Sequence, residues 1–330
     1  MAALPDPLER IAAPARVIGL SRARRARLAG LSFDRLTEQQ VVGHVIRALD
    51  GGRGGWIATP NIDICQATRR DTALGVLIDG ASLVVPDGMP LVWASRLRGS
   101  GLPERVTGAS LISTLTEAAA RHGKSIYLLG GEPGVAPGAA SRLRGRYPGL
   151  IVAGTDAPPM GFDRTRQGIG AVRRKLVAAA PDIVYVGLGF PKQERLIAQL
   201  APALPRAWFV GCGAAIPFTA GTLRRAPRWM QVAGLEWSWR LFSEPRRLFK
   251  RYMVSDLPFA AGLLLDSATA RLHRDALPGR DELSPSGPPQ AITVITYGRP
   301  GRAAAHRRPA RHRHRRQLGT PPSHSARRSS

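Results

Sequence analysis

The sequence predicts an α/β protein with a mainly parallel sheet and flanking helices. Its 330 residues are 44% hydrophobic, which is enough for one sizeable core. From Leu31 onward, short apolar and β-branched runs alternate with amphipathic helical stretches, and this Rossmann-like pattern is typical of βαβ units. Five such runs end in a turn signal and are predicted strands: Trp56–Ala58, Ser82–Val85, Ser125–Leu129, Asp182–Val186 and Ala207–Val210.

Two stretches between these strands carry helix start and stop signals. Ala109–His122 has apolar residues at helical spacing and is followed by Gly123, a common stop residue. Pro191 stands at the start of Lys192–Leu200, and proline is favoured in the first turn of a helix. We therefore expect helices of this kind to cover the sheet.

The chain divides into four segments by composition. We predict a disordered basic leader over residues 1–30 and the α/β domain that carries the site over 31–215. A basic aromatic appendage, expected to be helical, follows over 216–265, and a tail rich in Arg, Pro, Ser and His occupies 266–330. Such a tail has too little apolar surface to offset the entropy of ordering, so we expect disorder there.

The formal net charge of +25 indicates an anionic partner, which is a nucleic acid, a membrane surface or a phosphorylated ligand. Ten arginines lie between 299 and 328 with no acidic residue among them, so much of the excess belongs to the tail. A second basic cluster, between residues 224 and 251, is interleaved with aromatic residues, and this combination suits a bilayer interface. The alternative is a solvated basic helix whose aromatic rings pack on the core. In either case the cluster is the basic part of the appendage. Its members are Arg224, Arg225, Arg228, Arg240, Arg246, Arg247, Lys250 and Arg251.

The two cysteines, Cys65 and Cys212, are too few for a disulfide framework and lack metal-ligand spacing. We interpret both as small buried side chains in a protein of a reducing compartment. No stretch approaches the roughly 18 uninterrupted apolar residues of a membrane-spanning helix. We therefore expect a cytoplasmic protein that is soluble or peripheral on a membrane.

Each predicted strand is followed by a loop rich in glycine, proline or polar residues. In a parallel sheet these loops open at one carboxyl edge, where open α/β sheets bind ligands. Because glycine lets the backbone approach a ligand and helix N-termini favour anions, Gly130, Gly131 and Gly187 are candidate contacts to a phosphate-bearing ligand. The alternative for any single loop is a tight βα turn. The loops are Thr59-Pro60-Asn61, Pro86-Asp87-Gly88-Met89-Pro90, Gly130-Gly131-Glu132-Pro133-Gly134, Gly187-Leu188-Gly189-Phe190-Pro191-Lys192-Gln193-Glu194 and Gly211-Cys212-Gly213.

No loop is a complete dinucleotide fingerprint or a Walker loop, because Gly187-Leu188-Gly189 lacks the later glycine and no Gly-Lys-Ser/Thr occurs. Hydride transfer and ATP hydrolysis are therefore disfavoured. The sequence also lacks an Asp-x-Asp pair, so neither a metal nor another cofactor is implied. Arginines and backbone amides would have to neutralise a leaving group.

Asp87 is the candidate general base. It stands between a proline and a glycine just beyond an apolar strand, which should fix its carboxylate and partly desolvate it. The alternative is that its side chain forms an Asx turn or a helix cap. Thr59 and Asn61 could hydrogen-bond a sugar or make ordinary turn contacts, and Gln193 could reach a ligand or lie in solvent.

Taken together, these motifs resemble the bacterial WecG/TagA/CpsF glycosyltransferases over roughly residues 31–256. The combination is far more specific than any one loop. The matching segments are Thr59-Pro60-Asn61, Pro86-Asp87-Gly88-Met89-Pro90, Glu104-Arg105-Val106-Thr107-Gly108, Leu128-Leu129-Gly130-Gly131, Gly187-Leu188-Gly189-Phe190-Pro191-Lys192-Gln193-Glu194, Arg225-Ala226-Pro227-Arg228-Trp229-Met230, Gly234-Leu235-Glu236-Trp237 and Glu244-Pro245-Arg246-Arg247.

The resemblance implies an inverting, metal-independent transfer of a sugar from a UDP donor to a polyprenyl-diphosphate-linked acceptor, for a cell-surface polysaccharide. The sugar it implies is N-acetylmannosamine, its uronic acid or a related hexose. By the same resemblance, Asp87 is the base, and Thr59, Asn61 and Gln193 contact substrate. The appendage is expected to dock on the inner face of the plasma membrane and to contribute arginines to the site.

The resemblance also bears on positions outside these loops. Arg105 lies in a matching segment and either contacts substrate or pairs internally. Ser110 stands where the family commonly has Asp, and Ile216-Pro217 where it commonly has Phe-Asp. Three arginines of the appendage are candidates for a clamp on the diphosphate: Arg224, Arg225 and Arg228.

The rival hypothesis is a nucleic-acid-binding protein that uses its arginine-rich ends. The charge and the tail favour it, but the arginines and aromatic residues are not arranged as a recognised RNA- or DNA-binding motif. The oligomeric state stays open, and a homo-oligomer is among the partners that the sequence allows.

Overall fold

The computed structural model describes residues 25–232, 235–243 and 245–275. In this part of the chain, six parallel strands form one sheet and two further strands form an antiparallel hairpin. The strands are β1 Arg25–Leu28, β2 Leu31–Asp34, β3 Gly55–Ala58, β4 Leu83–Val84, β5 Ser125–Gly130, β6 Ile151–Asp156, β7 Ile183–Gly187 and β8 Trp208–Gly211. Their order across the sheet is β4-β3-β8-β7-β5-β6, which confirms the predicted parallel α/β architecture.

Helices cover both faces of the sheet. Along β3, Trp56 and Ala58 belong to one apolar core and Ile57 to the other, because successive strand residues point to opposite faces. Among the helices described, none combines the length and the apolar character needed to cross a membrane. The helices are α1 Glu38–Asp50, α2 Ile62–Arg70, α3 Thr72–Asp79, α4 Met89–Leu97, α5 Gly108–Arg121, α6 Val135–Arg146, α7 Arg166–Ala179, α8 Lys192–Leu200, α9 Ala215–Ala220, α10 Arg228–Val232, α11 Glu236–Ser243, α12 Pro245–Phe249 and α13 Leu257–Asp275.

The predicted helices and strands occur with small shifts at their ends. The helix α5 begins at Gly108, because the Thr107 hydroxyl caps it by accepting a hydrogen bond from the Ser110 backbone N–H at 2.9 Å. The helix α8 has the predicted bounds, and Pro191 is its N-cap residue. Local start and stop signals were therefore sufficient to predict these two helices.

The sequence did not predict three of the strands, which are β1, β2 and β6. The edge strand β6 is only partly buried, so its sequence lacks a continuous apolar run. The strand β1 begins at Arg25, inside the segment 1–30 that was predicted to be disordered, and α13 continues to Asp275, past the predicted end of the appendage at 265. The remaining parts of the predicted leader and tail, 1–24 and 276–330, lie outside the described residues.

Asp34 anchors the hairpin β1-β2 to the main sheet. Its carboxylate is buried and accepts two hydrogen bonds from the Arg25 guanidinium, at 2.8 and 3.0 Å. It also accepts the backbone N–H of Val84 at 2.8 Å. The hairpin β1-β2 is thereby tied to β4, the strand at one edge of the sheet, whose N–H would otherwise need another partner.

Helix α13 packs on the body of the protein. Ala260 and Leu263 are buried in the same apolar core as Leu91 and Ala94 of α4. A seven-residue π-helical turn over Lys250–Asp256 leads from α12 into α13, and the Ser255 carbonyl accepts a hydrogen bond from the Gln66 side chain at 3.1 Å. The appendage is therefore attached to α2 and α4, which follow the first two site loops.

Candidate functional site

The loops after β3 and β4 lie side by side at the carboxyl edge of the sheet. The backbone N–H of Asp87 donates to the Pro60 carbonyl at 2.9 Å. The N–H of Val106 donates to the Pro86 carbonyl, also at 2.9 Å. The Asp87 loop is therefore held between the loop after β3 and the segment that contains Arg105.

Thr59 and Asn61 both make contacts that stabilise this edge. The Thr59 hydroxyl donates to the Gly211 carbonyl at 3.2 Å, which joins the ends of β3 and β8. Asn61 is the N-cap residue of α2, and its Oδ1 accepts the Ile64 N–H at 3.0 Å. Helix capping accounts for the Asn61 contact and a bond between strand ends for the Thr59 contact. A contact of either residue with a sugar stays a prediction.

Asp87 is half-buried and directly precedes Gly88. Gly88 is the N-cap residue of α4, so Asp87 does not occupy the cap position of that helix. The φ of Gly88 is 154°, a backbone conformation that residues with a side chain disfavour. The chain thus turns sharply just after Asp87, and the assignment of this residue as the base stays a prediction.

Gln193 is 4% exposed, so the alternative in which it lies in solvent is wrong. Its Oε1 accepts the backbone N–H of Gly189 at 3.2 Å and that of Gly213 at 3.1 Å. Its Nε2 donates to Glu194 Oε1 at 2.8 Å. Gln193 therefore ties the loop after β7 to the loop after β8, and its contact with a ligand stays a prediction.

Glu194 is a residue of the site that the sequence reasoning missed. It is 2% exposed, and its Oε2 has no hydrogen-bond partner among the described residues. Burial raises the pKa of Glu194 from 4.5 to about 7, against smaller lowering effects of the Gln193 and backbone hydrogen bonds. Helical periodicity could have indicated that Glu194 is buried. Gln193 and Glu194 share the buried side of α8 with Leu196, Ile197 and Leu200.

The glycines at the ends of β5 and β7 are required by contacts between backbones. Gly130 pairs with Gly187, and a Cβ at Gly130 would collide with the Gly187 carbonyl. A Cβ at Gly187 would lie 2.8 Å from the Gly213 carbonyl oxygen. Gly131 has a φ of 82°, which favours glycine. Tight turns therefore account for these glycines, and their contacts with phosphate stay predictions.

Two arginines meet at Glu236 in α11. Arg105 Nη1 lies 3.2 Å from one carboxylate oxygen of Glu236, and Arg225 Nε lies 3.1 Å from the other. Arg105 also donates to the Gln231 carbonyl at 3.1 Å, and Arg225 donates to the Ala109 carbonyl at 3.3 Å. Arg105 thus pairs internally, and the cluster fixes the appendage beside the Asp87 loop.

The remaining candidates of the diphosphate clamp are less constrained by the structure. Arg224 is exposed, and its backbone carbonyl accepts a hydrogen bond from the Trp239 indole at 3.4 Å. The backbone of Arg228 opens α10, while its side chain lies outside what the structure describes. The proposed contacts of Arg224, Arg225 and Arg228 with a diphosphate therefore stay predictions.

Within the described ranges, no group of three or more His, Cys, Asp or Glu side chains could hold a metal ion. Cys65 and Cys212 are free and buried. Burial raises the pKa of each thiol to about 12, so neither is a reactive thiolate at neutral pH. The interpretation of both cysteines as small buried side chains is confirmed.

Comparison with known proteins adds an independent observation. Residues 26–273 match the Glycosyl transferase WecG/TagA/CpsF family. The chain belongs to this family. It is therefore a glycosyltransferase, as the motifs of the strand-end loops and the appendage together predicted.

Two relatives of this glycosyltransferase are named N-acetylglucosaminyldiphosphoundecaprenol N-acetyl-beta-D-mannosaminyltransferase. The one from Bacillus subtilis (strain 168) is 31% identical over 199 residues, which cover 60% of this chain and 75% of that protein. The one from Bacillus spizizenii (strain ATCC 23059 / NRRL B-14472 / W23) is 29% identical over 225 residues, covering 68% of this chain and 85% of that protein.

Two positions at which we expected departures from the WecG/TagA/CpsF pattern have local structural roles. Ser110 forms a capping box with Thr107 at the start of α5, in which the Thr107 N–H donates to the Ser110 hydroxyl at 3.3 Å. Ile216 is fully buried in α9 and packs against Gly187, where a Cβ would lie 3.0 Å from its Cδ1. Both positions therefore support local structure in this glycosyltransferase.

Because the pKa of Glu194 is raised in the folded chain, the free energy of unfolding should fall as the pH rises. Below about pH 4.5 the carboxyl is protonated in both folded and unfolded chains; between 4.5 and about 7 only the unfolded chain ionises freely. From about pH 5 to about pH 8, the wild type should therefore lose roughly 2–3 kcal/mol of unfolding free energy relative to Glu194→Gln. Urea unfolding at both pH values measures this difference, and parallel pH dependences would contradict the prediction.

Proposed function

We propose that this glycosyltransferase moves N-acetylmannosamine, or a related hexose, from a UDP donor to a polyprenyl-diphosphate-linked sugar. The names of the two Bacillus relatives describe a mannosaminyl transfer to an undecaprenyl-diphosphate-linked N-acetylglucosamine. The single observation that carries the proposal is the junction of the Asp87 loop with the Thr59-Pro60-Asn61 loop through the 2.9 Å hydrogen bond between Asp87 N–H and the Pro60 carbonyl. This contact supports the proposal because it joins the residue that carries the carboxylate to the loop that carries Thr59 and Asn61, at the edge where α/β sheets bind ligands.

In the proposed reaction, Asp87 accepts the proton of the acceptor hydroxyl. The oxygen of that hydroxyl forms a bond to the anomeric carbon of the donor sugar, and the bond from this carbon to the diphosphate breaks. The nucleoside diphosphate leaves with the bonding electron pair. Attack from the side opposite to the leaving group inverts the anomeric configuration, which is the outcome proposed here.

Arginines are proposed to stabilise the negative charge that develops on the leaving diphosphate. Arg105 and Arg225 already converge on one carboxylate, that of Glu236, at 3.2 and 3.1 Å. A phosphate group offers the same kind of acceptor to guanidinium groups and could replace this carboxylate as their partner. The pair would thus supply the positive charge that a metal ion supplies in other sugar-nucleotide enzymes.

The acceptor is proposed to reach the site from the inner face of the plasma membrane, where the enzyme binds peripherally. The appendage exposes Trp229, Phe242 and Phe249, whose exposed fractions are 65%, 80% and 59%. Arg246 and Lys250 are exposed near them in sequence. Aromatic rings with neighbouring cations favour an anionic bilayer interface, and each cation contributes about 1 kcal/mol there.

A panel of UDP-sugars with a polyprenyl-diphosphate-N-acetylglucosamine acceptor tests the function directly. We expect the purified chain to add N-acetylmannosamine, which mass spectrometry of the lipid product would detect as one added N-acetylhexosamine. Transfer from a different UDP-sugar alone would correct the donor. The absence of product with every nucleotide sugar and this acceptor would contradict the proposed function.

Asp87→Asn should lower turnover by about 10² or more, because an amide cannot accept the hydroxyl proton. The KM for the donor should change little, since the side chain keeps its size. Asp71→Asn is the matched control: Asp71 is exposed and caps α3, and asparagine caps a helix equally well. Steady-state kinetics of both variants measures the turnover number and the KM. Wild-type turnover in Asp87→Asn would remove Asp87 from the mechanism.

Replacing Phe242 and Phe249 together by serine should weaken binding to anionic liposomes by about tenfold or more, because two exposed rings no longer enter the interface. Activity toward a water-soluble acceptor analogue should persist. Ile151→Ser is the control, since Ile151 is half exposed at the start of β6, at the opposite edge of the sheet. Equal sedimentation of the wild type, the double variant and Ile151→Ser with anionic liposomes would refute the interfacial role.

A further inference from the structure

The adjacent residues Gln193 and Glu194 lie beneath the loops of the site, and Glu194 has no part in the proposed reaction. Gln193 Oε1 accepts the N–H groups of Gly189 and Gly213 at 3.2 and 3.1 Å. Gln193 Nε2 donates to Glu194 Oε1 at 2.8 Å. Gly211 lies against the same amide, because a Cβ there would stand 2.9 Å from Gln193 Nε2. The ends of β7 and β8 and the first turn of α8 therefore meet at this one amide.

The amide of Gln193 satisfies these partners in one orientation. Two backbone N–H groups are donors, so they require the amide oxygen, whereas the side chain of Glu194 offers an oxygen that requires the amide nitrogen. An amide rotated by half a turn would set donor against donor on one side and its own oxygen against the Glu194 oxygen on the other. The Glu194 oxygen therefore stabilises the same orientation that the two N–H groups require, the one in which Gln193 joins the two loops.

We propose that Glu194 is a positioning residue of the sugar transfer: its side-chain oxygen fixes the Gln193 amide, which holds the loops after β7 and β8 together beside Thr59. The connection to Thr59 passes through Gly211, whose carbonyl accepts the Thr59 hydroxyl at 3.2 Å. A displaced amide would disturb the end of β8 to which Thr59 is bound. The effect on turnover rests on the proposed function, whereas the effect on the loops does not.

The burial of Glu194 argues against a role in packing alone. The residue is 2% exposed, and no hydrogen-bond partner of its Oε2 occurs in the part of the chain that the structure describes. A buried polar group without a partner destabilises a fold, and an apolar side chain of similar size would be neutral or stabilising there. A residue selected for packing would be apolar, like its neighbours Leu196 and Ile197.

The test compares Glu194→Met with Glu194→Gln in the full chain. Methionine fills the buried space without a strong acceptor, whereas glutamine keeps an oxygen for Gln193 Nε2. Loss of one positioning hydrogen bond should lower kcat/KM about tenfold in Glu194→Met, with an unchanged or higher Tm, while Glu194→Gln should stay within about threefold of the wild type. Hydrogen–deuterium exchange of the Gly189 and Gly213 amides should be faster in Glu194→Met alone.

A double-variant cycle identifies Gln193 as the intermediary. Because Glu194 acts through Gln193, the combination of Gln193→Met with Glu194→Met should be no less active than Gln193→Met alone. Gln199→Met serves as the matched control, since Gln199 is exposed on the same helix. It should leave both turnover and amide exchange at the wild-type values.

Wild-type turnover and exchange in Glu194→Met would overturn the proposal, as would equal losses in the two Glu194 variants or additive losses in the double variant. If Glu194→Met does not fold, Gly211→Ala displaces the same amide, since its Cβ would stand 2.9 Å from Gln193 Nε2. Unchanged exchange at Gly213 in that variant would equally overturn the proposal. If the wild type transfers no sugar, the proposed function fails, while the exchange at Gly189 and Gly213 still decides the positioning role.

Discussion

The parallel direction of the sheet strands is the constraint on which the site depends. It brings the loops after β3, β4, β7 and β8 to one edge, although these strands are far apart in the sequence. Because β3 and β8 are neighbours, the Thr59 hydroxyl reaches a carbonyl 152 residues further along the chain. Backbone hydrogen bonds from Asp87 to Pro60 and from Val106 to Pro86 then join loop to loop. The Asp87 loop is thus held by main-chain contacts, whereas side chains join the ends of β3, β7 and β8.

Sequence patterns predicted the elements whose local signals agree with their burial. The five predicted strands are apolar because both faces of the sheet are covered, and α5 and α8 carry clear start signals. The missed elements lack such signals. The strand β6 lies at an edge and needs the neighbouring β5 to form, while β1 is ordered through the pairing of Arg25 with the buried Asp34. A charged partner several residues away leaves no trace in local hydrophobic periodicity.

The same distinction applies to the site. The grouping of the Thr59, Asn61 and Asp87 loops follows from strand direction alone, so the sequence was sufficient to predict it. The hydrogen bond of Gln193 with Gly213 and the pairing of Arg105 with Glu236 depend on residues brought close by folding; Arg105 and Glu236 are 131 residues apart. No spacing rule predicts such partners. Glu194 was overlooked because a carboxyl group is normally expected on the exposed side of a helix. Its position in the helical repeat nevertheless puts it on the buried side of α8.

The packing of α13 on α4 affects how shortened forms of the enzyme should be interpreted. Ala260 and Leu263 shield Leu91 and Ala94, and α4 starts directly after the Asp87-Gly88 corner. A protein that ends before residue 260 would expose this flank of α4 to water and loosen the corner that carries the carboxylate. Inactivity of such a truncation would therefore report damage within the catalytic body, even when measured in detergent without any bilayer. Expression boundaries at or beyond Asp275 avoid that ambiguity.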